Sequence, residues 1–171
     1  MRTRLIRPCI QSLLTWLAPA CLAALLVGCE DEPGGVAESV SGYNHMSGDG
    51  WHIGGFSVNG ASGPNLQPRT GGEGFHCCIL IPERWMPGMK AKVAWWYDVK
   101  AGDSRIPPPP QEAEVEIPDY NAMGPGTVAV HFYPEHRVKL VVSNYIIEYA
   151  RYPMSAEDKL PWRTDSSFAR N

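Results

Sequence analysis

The chain has 171 residues, with 18 acidic and 15 basic side chains and 44% hydrophobic residues, enough for one domain with a core. Arg2, Arg4 and Arg7 lie in the first 28 residues, which hold no acid, so the remainder carries twelve basic against eighteen acidic side chains, a net of about −6 with neutral histidines. That balance argues against a protein built to grip phosphate backbones or anionic headgroups, which select Lys and Arg, and 17 Gly with 16 Pro fit short strands joined by turns better than helices.

The three arginines precede a mostly apolar run from Ile10 to Val27, and Leu26-Val27-Gly28-Cys29 closes it. This is the layout of a secretory signal peptide over residues 1–28. A cysteine at the cleavage point makes it a bacterial lipoprotein signal by resemblance, with Cys29 the lipidated residue. Several acyl chains, each buried methylene contributing about 0.8 kcal/mol, would then tether the protein without spanning the bilayer. An uncleaved membrane helix is the rival reading, weakened by Gln11, Ser12, Thr15 and Pro19. Cys21 is the rival lipid site, but no leucine stands three residues before it. Glu30, where an aspartate would signal inner-membrane retention, points to the periplasmic leaflet of the outer membrane.

Residues 29–42 comprise Cys29 and an acidic, Gly-rich stretch without periodicity, which predicts a flexible tether. A β domain is expected over 43–152. Trp51, Ile53, Phe56 and Val58 flank Gly54-Gly55, where a bulge would break the alternation, and Asn59-Gly60 signals a tight hairpin turn. Residues 61–74 read as loop. Phe75 to Ile81 is a continuous apolar run that predicts a central strand buried on both faces. In Lys90 to Tyr97 the lysines Lys90 and Lys92 share one face, and Val93, Trp95 and Tyr97 the other.

Four prolines close the connection to Gln111–Ile117, where Glu112, Glu114 and Glu116 face one way and Ala113, Val115 and Ile117 the other. The glutamates read as a solvated strand face, with a calcium or partner surface as the sharper alternative. If the neighbouring strands pair with this one, His131, Arg137 and Lys139 sit opposite them. Val128, Val130 and Phe132 point inward from a strand over Thr127–Tyr133, and Arg137–Tyr149 supplies a last long strand or pair. Residues 153–171 read as an irregular, frayed tail, with Trp162 and Phe168 the residues able to dock it. The fold class is mainly β, a single antiparallel sandwich-like domain.

Cys77 and Cys78 are the pair left once Cys9 and Cys21 depart with the signal and Cys29 is acylated. In an oxidising periplasm they are packed thiols, a vicinal disulfide, or a metal or redox site. Packing is favoured because cysteine is often a small buried hydrophobe and because successive strand side chains diverge. His76-Cys77-Cys78 offers soft metal ligands, which His45, His52 and His131 complete only if the fold gathers them. No nucleophile elbow, phosphate loop or zinc-protease motif occurs, so no catalytic residue, metal or cofactor is assigned, and the chain reads as a non-enzyme.

Tyr43-Asn44-His45, Phe56-x-Val58-Asn59-Gly60, Gly71-Gly72 before Cys77-Cys78, Leu80-x-Pro82-x-x-Trp85-x-Pro87-Gly88, Val93-x-Trp95 and Val130-His131-Phe132 together resemble a family of uncharacterised proteobacterial lipoproteins. The double cysteine with its following proline, tryptophan and glycine is the most specific element. The resemblance implies an immunity role beside type VI secretion phospholipase effectors, with such an effector as protein partner and no nucleic acid. It carries no catalytic residues. Asn44, Asn59, Gly60, Cys77, Cys78, Pro82, Trp85 and Gly88 read as turn formers and core, not as contacts. The alternative function is a structural or assembly lipoprotein of the envelope.

Overall fold

The computed structural model describes residues 34–72 and 74–162. The expected signal peptide, Cys29, the first residues of the tether and Phe168 lie outside the described residues. Among the described residues there are eight strands: β1 (Gly35–Asn44), β2 (His52–Val58), β3 (Ala61–Gly63), β4 (His76–Pro82), β5 (Lys90–Asp98), β6 (Gln111–Glu116), β7 (Thr127–Phe132) and β8 (Val138–Ser143). They form two four-stranded sheets, ordered β4-β1-β7-β8 and β3-β2-β5-β6. The pairs are antiparallel except β1 with β7. The mainly β, sandwich-like class expected from composition and alternation is what the chain adopts.

The second sheet follows local sequence closely. Asn59 and Gly60 take φ of 49° and 88°, the left-handed pair of a tight hairpin turn, and Val58 pairs with Ala61 across it. The β2–β5 register shifts between Ile53 and Gly55, so the glycine pair is a bulge. A Cβ on Gly55 would lie 2.2 Å from Trp96 Cη2, so the indole needs the bare backbone there. Lys90 and Lys92 face outward while Ala91, Val93, Trp95 and Tyr97 are buried. The glutamates of β6 sit across from these lysines, with Lys90–Glu114 at 2.6 Å and Lys92–Glu112 at 2.8 Å. They are not paired with the strands of His131, Arg137 and Lys139, because β6 pairs with β5 in the other sheet. Exposed pairs of this kind add little stability.

The main core lies between the sheets. Phe56 meets Phe132 edge-on at 5.1 Å between centroids, Trp95 lies 5.9 Å from Phe132, and Val40, Ile53, Val58, Val93, Val130 and Val142 close around them. Burying each such side chain contributes roughly 1.5–3 kcal/mol. Gly42 and Gly63 let the Phe56 ring settle; a Cβ on Gly63 would stand 2.0 Å from its Cζ.

Three expectations are corrected by long-range pairing. Residues 35–42, read as tether, belong to β1, an inner strand whose first half pairs with β4 and whose second half runs parallel to β7. Hydrogen bonds on both sides hold a segment whose acidic, small-residue composition alone would leave disordered. The apolar run at 75–81 is not a central strand: β4 is a sheet edge, with Ile79 and Ile81 buried but Phe75 60% and Leu80 71% exposed. Residues 153–162 are not a frayed tail. They form turns pinned by Tyr133 Oη donating to the Asp158 carbonyl at 2.8 Å, by Lys139–Asp158 at 2.7 Å and by Lys159 Nζ donating to the Tyr149 carbonyl at 2.9 Å.

Candidate functional site

The outer face of the first sheet carries the unusual chemistry. Over its β7–β8 half the C-terminal turns lay down a second apolar cluster of Tyr43, Ala129, Val141, Ile147 and Tyr152, with Tyr145, Met154 and Trp162 packed against it. Over its β4 half nothing described covers it. Leu80 pairs with the exposed Ala37, and strand alternation puts Ala37 on the same face as Ser41 and Tyr43.

Cys77 and Cys78 occupy this open edge as a vicinal disulfide. The favoured expectation of packed thiols is therefore corrected: both residues are exposed and joined. Here β4 advances three residues, from His76 to Ile79, while β1 advances two, from Val40 back to Glu38. The extra residue is a bulge, and the disulfide sits within it. A bulge on an edge strand also interrupts the unpaired backbone groups that another strand would bind. The metal reading is not supported by placement. His76 stays beside the disulfide, His45 and His131 meet elsewhere, and no group of three or more His, Cys, Asp or Glu among the described residues is arranged to hold an ion.

Between the open edge and the covered half lies a hollow of about 160 Å³. Tyr43, Ala129 and Tyr152 line its buried part, and Phe75, Tyr145 and Ile146 its more open part. Phe75 and the 42%-exposed Ile146 thus place apolar groups at the mouth of a preformed pocket, and the exposed Leu80 lies farther along β4, opposite Ala37. Exposed large side chains around a pocket are informative in a way that single exposed leucines are not.

Beside the pocket runs a hydrogen-bonded chain that no sequence motif announces. His45 Nδ1 lies 2.5 Å from the Leu160 carbonyl, His45 Nε2 lies 2.8 Å from His131 Nδ1, and His131 Nε2 lies 2.6 Å from Tyr152 Oη. Tyr43 stacks on His131 at 4.8 Å, Tyr133 on His45 at 4.3 Å, and Trp162 stands edge-on to Tyr43 at 5.3 Å and to His45 at 4.7 Å. Burial lowers the His45 pKa to about 4, against the Leu160 bond that favours its proton. Burial, then repulsion from His45 and Lys139, drives His131 well below the usual histidine range. Burial raises Tyr43 to about 12 and Tyr152 well above its ordinary value. All four groups are neutral near pH 7. His131 is completely buried, so the chain ties the C-terminal turns to β1 and β7 as a satisfied polar network.

The residues singled out by resemblance fall mainly at junctions. Asn44 is completely buried; its Nδ2 donates to the carbonyls of Trp51 and Leu66 at 2.9 and 3.3 Å, and its Oδ1 accepts from Met46 N at 3.1 Å. Asn59 Oδ1 accepts from Lys92 N, and Tyr120 Oη donates to the Pro82 carbonyl, each at 2.8 Å. Trp85 Nε1 donates to the Ile117 carbonyl at 2.7 Å, and Gly88 turns the chain with φ of 85°. Sequence reasoning missed Tyr152, Tyr43 and the buried role of His131. The one available signal was the tyrosine-rich, apolar stretch Tyr145–Tyr152, which fits the cover of a sheet better than a strand within it. No curated protein and no solved structure matches the chain. Residues 43–140, running from the stacked Tyr43 through the disulfide to β8, match the model of a protein of unknown function (DUF3304), and the chain belongs to that family.

Proposed function

We propose that this protein is a lipoprotein held through Cys29 in the periplasmic leaflet of the outer membrane, where it binds and neutralises a secreted phospholipase effector of the type VI class. The observation that carries the binding role is the pairing of a preformed hollow, with Phe75 and Ile146 at its mouth, with an open sheet edge that exposes Leu80 and a vicinal disulfide. Interfaces draw most of their energy from a few aromatic or aliphatic anchors seated in desolvated pockets. A rigid hollow with an apolar rim suits an anchor side chain of a partner protein. The resemblance to lipoproteins found beside such effectors is what suggests this class of partner. A role by occlusion needs no catalytic group of this chain, and the buried histidines serve the rigidity of the binding face.

The test is co-expression of the full chain with the neighbouring lipase directed to the periplasm. Copurification and protection of the cells are expected, and Phe75→Glu and Leu80→Glu should each abolish protection while the protein still accumulates folded. A chain that neither copurifies nor protects removes the effector reading. Protection that survives both substitutions moves the interface elsewhere. Cys29→Ser should release the protein from the membrane fraction; retention would point to an uncleaved helix.

A further inference from the structure

A second hollow, of about 220 Å³, lies where the segment after β1 meets the β7–β8 turn, and the partner reading leaves it unused. Its lining includes Met46, Trp51, Tyr97, Pro134, Glu135 and His136. Glu135 and His136 take φ of 61° and 60°, the left-handed region that a residue with a Cβ rarely adopts. Hairpin turns usually place Gly, Asn or Asp there. Here the strained pair instead brings a carboxylate and an imidazole to a cavity, and backbone strain of this kind clusters at ligand sites. His136 Nδ1 lies 2.9 Å from Tyr97 Oη, and the Trp51 and Tyr97 rings stand 6.5 Å apart at 52°, so two aromatic walls meet at an angle.

Charge decides what such walls hold. Glu135 is exposed and makes no ion pair among the described residues. Arg105 stacks 4.6 Å from the Trp51 centroid, but Asp103 matches its charge at 2.6 Å and the Asp49 carbonyl accepts from its Nη1 at 2.7 Å. An anion would meet the Glu135 carboxylate, and a neutral apolar group would leave that carboxylate unused. A cation gains from both, since ring faces attract positive charge, the more so where water is excluded. The volume falls below the roughly 300 Å³ at which drug-sized sites begin, which suits a small headgroup.

We infer that this hollow binds an organic ammonium of the quaternary type, with Trp51 and Tyr97 as its walls and Glu135 as its counter-charge. The inference stands apart from the effector reading and survives its failure. Calorimetric titration of the full chain in maltoside micelles tests it with choline, tetramethylammonium, glycerophosphocholine and 3,3-dimethylbutan-1-ol, the uncharged analogue of choline. Choline and tetramethylammonium should bind, the uncharged analogue about tenfold more weakly or not at all. Glu135→Gly should raise the melting temperature by relieving the left-handed backbone, yet weaken choline severalfold; Glu135→Gln should weaken choline as well. Tighter binding of glycerophosphocholine than of choline assigns the site to a lipid headgroup, and the reverse order to a free ammonium compound. Equal binding of choline and its uncharged analogue, or no heat from either cation, overturns the inference.

Discussion

His45 Nε2 and His131 Nδ1 lie 2.8 Å apart, and this contact dictates the protonation of the whole chain from Leu160 to Tyr152. The Leu160 carbonyl only accepts, so His45 Nδ1 carries a proton. Neutral His45 then offers a lone pair at Nε2, His131 must donate from Nδ1, and Tyr152 Oη must donate to His131 Nε2. Both imidazoles are therefore Nδ1–H tautomers. Long-range nitrogen-proton NMR correlation spectra should show both in that form near pH 7, and an Nε2–H signature for either ring would break the assignment.

The same chain sets a pH dependence. Burial holds the folded His45 pKa near 4, below its ordinary value of 6.5, and holds His131 lower than its ordinary value too. The unfolded state therefore binds protons first as pH falls, and stability drops wherever that state binds more protons. Stability should be full above about pH 6.5 and decline between there and about pH 4, with Asp158, Lys139 and Arg137 the charged groups acting on the pair. Urea midpoints measured across this window should fall, and a His131→Phe variant should show a shallower slope than the parent. A flat profile between pH 7 and 4.5 would refute the buried neutral pair.

Asn44 should be among the costliest polar residues to remove. Asn44→Ala leaves the Trp51 and Leu66 carbonyls and the Met46 amide without their side-chain partner. Unsatisfied buried groups cost roughly 1–3 kcal/mol each, and part is recovered by relaxation. A loss of about 3 kcal/mol is expected in chemical denaturation. Asn44→Asp should be nearly as damaging, since a carboxylate cannot donate to the two carbonyls.

Gly63 tests the packing of the core. A methyl group there would overlap the Phe56 ring, which is held between the sheets against Phe132. Gly63→Ala should cost about 1–3 kcal/mol as an overpacking change. The double variant Gly63→Ala with Phe56→Leu should cost less than the sum of its parts, a coupling that thermal melts of the four proteins measure.

The cysteine pair is accessible, so its state is directly countable. Thiol titration of the native chain should give two fewer reactive thiols before reduction than after it, because Cys77 and Cys78 are joined and exposed. Replacing both with serine should leave the fold intact, since Ile79 and Ile81 supply the buried contacts of β4. Equal thiol counts before and after reduction would mean that the pair is not bonded.

Alternation along β5, β6 and β7 is legible in the sequence because a strand records its buried face every second residue, and Asn59-Gly60 and Gly54-Gly55 are legible because turns and bulges select residues by backbone conformation. Local chemistry by itself determined these elements and the mainly β class. It did not determine their partners. β1 is an inner strand because β4 and β7 flank it, residues dozens of positions away that its acidic composition does not register. The run at 75–81 lies at an edge because no further strand among the described residues joins β4, and its cysteines are exposed there and not packed. His45, His131 and Tyr152 carry no common motif, since 86 and 21 residues separate the bonded pairs. Only tertiary packing, which brings the C-terminal turns over β1 and β7, places their ring atoms within hydrogen-bond reach and removes the water that would otherwise compete.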